Sequence, residues 1–119
     1  MADGKSIKKQ KIKAMTTIDF NKQAEDWKGA PATYLDGEKK EQPIIFAEQL
    51  GQQLAYSSEK DGNKLAKYWD WAKLLGKGKP LVLDNADKNT LKQFVEASDL
   101  FTWVKRQIIE IIENAKEEK

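Results

Sequence analysis

The sequence predicts a compact, mainly α single domain of about four helices, with a minor extended element near the N-terminus. Three observations carry this. From residue 43 onward, apolar side chains recur at helical spacing in four successive stripes. Short runs rich in Gly, Asp, Asn and Pro separate the stripes, and none is long enough to link two domains. The 119 residues are 39% hydrophobic and 34% charged, which is enough Leu, Ile, Phe and Trp for one core.

Residues 1–13 hold five lysines and one aspartate, and they predict a mobile basic tail ahead of a helical domain over residues 14–117. From Ile12 the chain alternates loosely through Ala14, Thr16, Ile18 and Phe20, a strand pattern. Residues 21–33 read as irregular, with Gly29 and Pro31 as breakers and Trp27 as their one large anchor. Asp36-Gly37 marks a turn, but residues 38–42 are too polar for a convincing return strand, so the expectation is a turn without a hairpin.

Pro43 suits the first turn of a helix whose stripe is Phe46, Ala47, Leu50 and Leu54. Asp61-Gly62-Asn63 can cap the second helix, with Leu65, Tyr68, Trp69, Ala72 and Leu75 on one face and Gly76 as the terminating glycine. Leu81-Val82-Leu83 is a short extended segment. Asp84 opens the third helix, with Asp87 in its first turn and Leu91, Phe94 and Val95 as its stripe. After a corner at Ser98-Asp99, the last helix aligns Phe101, Val104, Ile108, Ile111, Ile112 and Ala115, and frays at residues 116–119. The predicted core packs Phe101, Val104, Ile108 and Ile112 against Leu91, Phe94, Val95 and the Trp69 face.

The residue inventory removes several chemistries. With no Cys and no His, there is no disulfide, Cys/His zinc site, thiol nucleophile or imidazole base. The carboxylate pairs Glu25/Asp26, Asp84/Asp87 and Glu110/Glu113 fit helix caps and solvated faces better than an acid–base pair flanking a cleft. Ser6, Ser57, Ser58 and Ser98 have no activating histidine. Gly76-Lys77-Gly78-Lys79 follows a helix and precedes Pro80, the reverse of a phosphate-binding loop. In residues 84–89 the alternate positions of a calcium loop fall on Ala86 and Lys88. The expectation is a protein without catalytic residues, cofactor or metal.

Two basic islands stand out. In the first, Lys5, Lys8, Lys9, Lys11 and Lys13 could neutralise phosphates, without Arg or aromatic residues to read bases. In the second, residues 60–79, six lysines oppose two aspartates and aromatics interleave. On a helical wheel Trp71 lies at the flank of the predicted stripe near Lys64 and Lys67, and Trp103 and Ile109 flank the stripe of the last helix. Lys64, Lys67, Trp71 and Trp103 are therefore the candidate partner-binding residues.

The order of motifs resembles a group of small bacteriophage-encoded proteins of uncertain role. It runs from Leu35-Asp36-Gly37 to a short apolar helix (Phe46, Leu50, Leu54). A Lys-rich Leu-Ala helix follows, Leu65 to Leu75, then Leu81-Val82-Leu83-Asp84 opening a helix to Val95, and a final Val104 to Ile108 pattern. The resemblance spans roughly residues 33–112 and implies action by binding, in virion assembly or on a host protein. The expected function is thus a non-enzymatic protein–protein interaction module, binding a phage structural protein, a host protein or itself. The alternative is a nucleic-acid-associated protein that holds the phosphate backbone through the tail and the Lys64–Lys79 island. No segment is apolar for long enough to span a membrane, since Ile108 to Ile112 is short and interrupted by Glu110. The expected location is the cytoplasm, the host's if the protein is phage-encoded.

Overall fold

Alternation near the N-terminus does produce a strand, and the apolar stripes do produce four helices. The computed structural model describes residues 15–115 and the backbone of residues 117–118; the expected tail, residues 1–13, lies outside the described residues. The chain runs β1 (Met15–Ile18), β2 (Thr33–Leu35), β3 (Glu41–Pro43), α1 (Phe46–Ala55), α2 (Gly62–Gly76), β4 (Leu81–Leu83), α3 (Asn85–Ala97), α4 (Thr102–Asn114) and β5 (Glu117–Glu118). It is mainly α, with a minor antiparallel sheet.

β1 is the middle strand of an antiparallel sheet ordered β4-β1-β5, with Thr16 opposite Leu83 and Ile18 opposite Leu81. Thr16, Ile18, Phe20, Leu81 and Leu83 turn inward, as period-two alternation requires. Residues 117–118 pair with Met15 and Thr16 instead of fraying, because β1 offers them an open ladder.

The expected start of α1 is corrected. Pro43 sits in β3 opposite Thr33, and the helix begins at Phe46. Its cap residue, Ile45, supplies no side-chain hydrogen bond. The Phe46 N–H donates instead to the Lys22 carbonyl (2.9 Å) and the Ala47 N–H to the Phe20 carbonyl (2.8 Å). Backbone from the preceding irregular segment thus satisfies donors that helix starts leave open. Asp61 caps α2 as expected, accepting from the Asn63 and Lys64 amides at 2.9 and 3.3 Å. Asp84 caps α3 by accepting from the Asp87 amide at 2.8 Å. Gly76 is the last residue of α2, and the reversal falls on Gly78, whose φ of 72° suits glycine.

The stripe of α2 is rotated from its predicted face. Tyr68, Trp71, Ala72 and Leu75 are buried, while Leu65 and Trp69 are exposed. The reason is that α2 packs on two helices. On one side Gly51 of α1 comes so close that an added Cβ would lie 3.4 Å from Leu75 Cβ and 3.8 Å from the Ala72 carbonyl oxygen. On the other, the Phe94 ring of α3 lies 4.9 Å from the Tyr68 ring. The buried arc is centred between these two neighbours, not on the Trp69 side.

Leu91, Val95, Val104, Ile108 and Ile112 form the expected α3–α4 core, joined by Ile109. Phe94 packs partly buried against it. Phe101 is a correction. It is the extended cap residue before α4, off the helical wheel, and its exposed ring stacks 6.3 Å from Trp103. Trp27 does not anchor its segment to the core: it is 84% exposed, with the Lys28 ammonium 5.1 Å from its ring centre. Among the described residues no helix is long and apolar enough to cross a membrane.

Candidate interaction surface

Two turns position the surface, and they are built alike. The Asp26 amide donates to the Ala30 carbonyl (2.7 Å) and the Gly29 amide to the Asp26 carbonyl (2.9 Å). Asp26 Oδ1 accepts from the Lys28 and Ala30 amides at 2.8 and 3.0 Å. Ten residues on, the Asp36 amide donates to the Lys40 carbonyl (3.0 Å) and the Lys39 amide to the Asp36 carbonyl (2.9 Å). Asp36 Oδ1 accepts from the Glu38 and Lys40 amides at 2.8 and 3.0 Å. The fourth residue of each turn has positive φ, 85° at Gly29 and 63° at Lys39. The carboxylate does in each turn what an Asx turn does, tying off amides that would otherwise stay unpaired. Hydrogen bonds from the Lys40 amide, the Gln42 side chain and the Glu38 amide hold the Asp36 carboxyl below the usual aspartate range.

The second turn closes a hairpin, correcting the expectation of a turn alone: Tyr34 pairs with Gln42 and Leu35 with Glu41. The polar return strand is tolerated because its side chains are exposed or half-buried. The extended segments meet at one point. The Ala24 amide donates to Ile44, the Ile44 amide to Ala32, and the Ala32 amide to Ala24, at 2.8, 3.0 and 2.8 Å. Ala24 and Ala32 are buried, and only a small side chain fits so close an approach of three backbones. The Gln107 side chain of α4 ties this segment down, accepting from the Glu25 amide (2.9 Å) and donating to its carbonyl (2.7 Å).

The hairpin carries Tyr34 to the edge of a groove between α1 and α2, of about 440 Å³. Its floor is made of small residues, Ala47, Gly51 and Ala55 on α1 with Ala72 and Gly76 on α2; Tyr34, Tyr56 and Trp69 stand around it. A neighbouring hollow of about 290 Å³ lies between Leu54, Leu65, Ala66 and Tyr68, and shares Ala55 and Trp69 with the groove. Trp69 is 54% exposed and Tyr56 85%. The charged groups of the groove are Glu48 and Lys73, and the Lys73 ammonium lies 5.9 Å from the Trp69 ring centre and 3.8 Å from Asp70. Burial, and then the charges of Glu59 and Asp61, push the Tyr68 phenol up, so it stays protonated behind the hollow.

The four residues nominated from sequence do not share one exposed surface. Trp71 is 7% exposed and belongs to the core, its ring 6.0 Å from Tyr68. It cannot be a contact residue, because the two-sided packing of α2 turns it inward. Trp103 is half-buried. Lys67 binds Asp87 of α3 at 2.6 Å, and that hydrogen bond and charge, with a further contribution from Asp84, raise the lysine's pKa. Lys67 is thus committed to holding α2 on α3, on the flank away from Trp69. Lys64 is exposed. Lys5, Lys8, Lys9, Lys11 and Lys13 lie outside the described residues.

The larger cleft, about 640 Å³ between residues 17–25 and α4, is of mixed character, with Asp19, Lys22, Glu25 and Glu110 beside Ile18, Phe46 and Ile111 in its walls. Glu110 pairs with Arg106 and Glu113 with Lys92, each at 3.3 Å. Among the described residues no group of His, Cys, Asp and Glu could hold a metal ion.

Sequence reasoning missed Tyr34, Tyr56 and Trp69. Two signals bear on them: small residues at four-residue spacing, Ala47, Gly51 and Ala55, mark the face of α1 that lies against α2, and Asp recurs ten residues apart at 26 and 36. No protein-family model, curated protein or solved structure matches the chain.

Proposed function

We propose that this protein is a non-enzymatic protein–protein interaction module whose contact surface is the α1–α2 groove. The observation that supports it is the set of three exposed aromatic side chains, Tyr34, Tyr56 and Trp69, around a floor of small residues. Large aromatic rings left partly in water beside a concave apolar surface are the usual anchors of protein interfaces. The resemblance of the Leu35-Asp36-Gly37 to Ile108 pattern to small phage proteins supports a role in virion assembly or on a host protein. In the nucleic-acid alternative, Lys67 is engaged with Asp87 and stands on the flank away from the exposed Trp69.

The test is affinity capture from phage-infected and uninfected cells with wild-type protein, Trp69→Ala and Tyr56→Ala, at two salt concentrations. The expected result is one protein retained by wild type, lost with either variant and little affected by salt, since desolvated apolar contact dominates. Tight binding to DNA or RNA at physiological salt, unchanged in both variants and falling steeply with added salt, would overturn the proposal.

A further inference from the structure

The α1–α2 groove carries two opposite charges, one on each wall. Glu48 on α1 is exposed, and among the described residues no cation lies within ion-pair distance of it. Lys73 on α2 has Asp70 of its own helix at 3.8 Å, with both side chains more than half exposed, a pairing worth little in water. The adjoining hollow adds no charged residue. Such a face has no net attraction for a strongly acidic or a strongly basic partner.

It does match itself under one operation. α1 and α2 run antiparallel through the short connection of residues 56–61. A two-fold axis normal to both helices, passing between Glu48 and Lys73, lays α1 of each copy along α2 of the other. Glu48 of each copy then stands over Lys73 of the other, so one rotation creates two ion pairs. One turn before Lys73 stands Trp69, and one turn before Glu48 the chain is at Ile44, beside the Tyr34–Gln42 pair of the hairpin. The same rotation therefore brings the Trp69 ring of each copy to the Tyr34 end of the other's groove.

From this placement we infer that the groove is a two-fold self-association surface, and that its occupant is a second copy of this chain docked α1 on α2. The inference rests on the interaction-module reading and names the partner. Tyr34, Tyr56 and Trp69 leave roughly 400 Å² of side chain in water, at the upper limit of what a monomer leaves uncovered in one patch. Each copy in a standard interface buries about 800 Å². Helices of ten and fifteen residues, roughly 15 and 22 Å long, supply the remainder through Glu48, Gln52 and Lys73. The small floor residues leave room for the other copy's side chains between α1 and α2. With two ion pairs and few aromatic anchors the dimer is a weak one, with a Kd of about 10 µM, and the chain is a monomer at submicromolar concentration.

The test is sedimentation equilibrium of the full chain from about 1 µM to about 1 mM. Wild type is expected to dimerise. Glu48→Lys and Lys73→Glu should each weaken the dimer at least about tenfold, because like charges then face one another twice. Trp69→Ala should weaken it by about the same factor. An equimolar mixture of the two charge variants sets every cation against a carboxylate again, so a mixed dimer should form within about threefold of the wild-type affinity. That rescue separates pairing across the axis from damage to the fold. A dimer indifferent to both charge reversals, or charge variants that the mixture does not rescue, would overturn the two-fold docking. A wild type still monomeric at about 1 mM would overturn it as well. If affinity capture then retained a different protein in wild type and lost it in Trp69→Ala, the groove reading would stand without self-association. With no protein captured, both would fall.

Discussion

Residues 19–45 and residues 46–114 are held together by different forces. In the first region Phe20, Ala24 and Ala32 reach the core, but most contacts are backbone hydrogen bonds, the carboxylates of Asp19, Asp26 and Asp36 and the side chains of Gln23, Gln42 and Gln107, and Trp27, Tyr34 and Leu35 stay in water. In the second, apolar side chains at helical spacing bury themselves against neighbouring helices. Burial needs many side chains of one kind in register, so it leaves a periodic trace in the sequence. Backbone pairing needs hardly any, and leaves only an Asp, a Gly or a Pro at a few positions. That contrast predicts where substitutions act.

The largest effect belongs to Trp71. Trp71→Ala is expected to cost about 3–5 kcal/mol by denaturant unfolding, as for large core aromatics, while Trp69→Ala stays within about 0.5 kcal/mol. The reverse order would break the contrast by putting the buried face of α2 where the helical wheel first set it. Next comes Ile108→Ala in the centre of α4, fully buried, at about 2–5 kcal/mol. A loss at the level of a surface site would mean that the helices are not held by this stripe.

In the backbone-held region the interesting change is a gain. Lys39 occupies the left-handed position that Gly29 occupies in the matching turn. Lys39→Gly should stabilise by about 1 kcal/mol and Gly29→Lys should destabilise by at least as much, since a side chain is strained at positive φ. If both changes are neutral, the two turns do not share a conformation in solution. A comparable gain is expected in β1, which precedes both regions. Thr16 is buried and its hydroxyl has no hydrogen-bond partner among the described residues, so Thr16→Val should match wild type or exceed it by up to about 1 kcal/mol in thermal unfolding.

The smallest effect is local and depends on pH. The Asp36 pKa is lowered by its amide hydrogen bonds, so the carboxylate's contribution is complete above the unfolded-state value and is lost as pH falls through the folded one. Amide signals of Glu38 and Lys40 should therefore move in acid before the helix signals do, and Asp36→Asn should abolish that movement. Helix and hairpin amides that shift together would make the hairpin part of one cooperative unit with the helices.

The four helices, β1, β4 and the caps at Asp61 and Asp84 were legible in the sequence. Periodicity of 3.6 or 2 and a carboxylate at a helix start are local properties, set by residues within a few positions of one another. The hairpin, the start of α1 at Phe46, the inward turn of Trp71 and the outward turn of Trp69 were decided by the tertiary structure. Each depends on a partner distant in sequence: Ala32 and Ile44 for the hairpin's register, the Phe20 and Lys22 carbonyls for α1, and Gly51 with Phe94 on either side of α2. A wheel drawn for one helix locates an apolar arc, but the neighbours choose which part of that arc they cover. On α2 the arc holds Trp69 as well as Tyr68, Ala72 and Leu75, and two flanking helices left Trp69 in the groove.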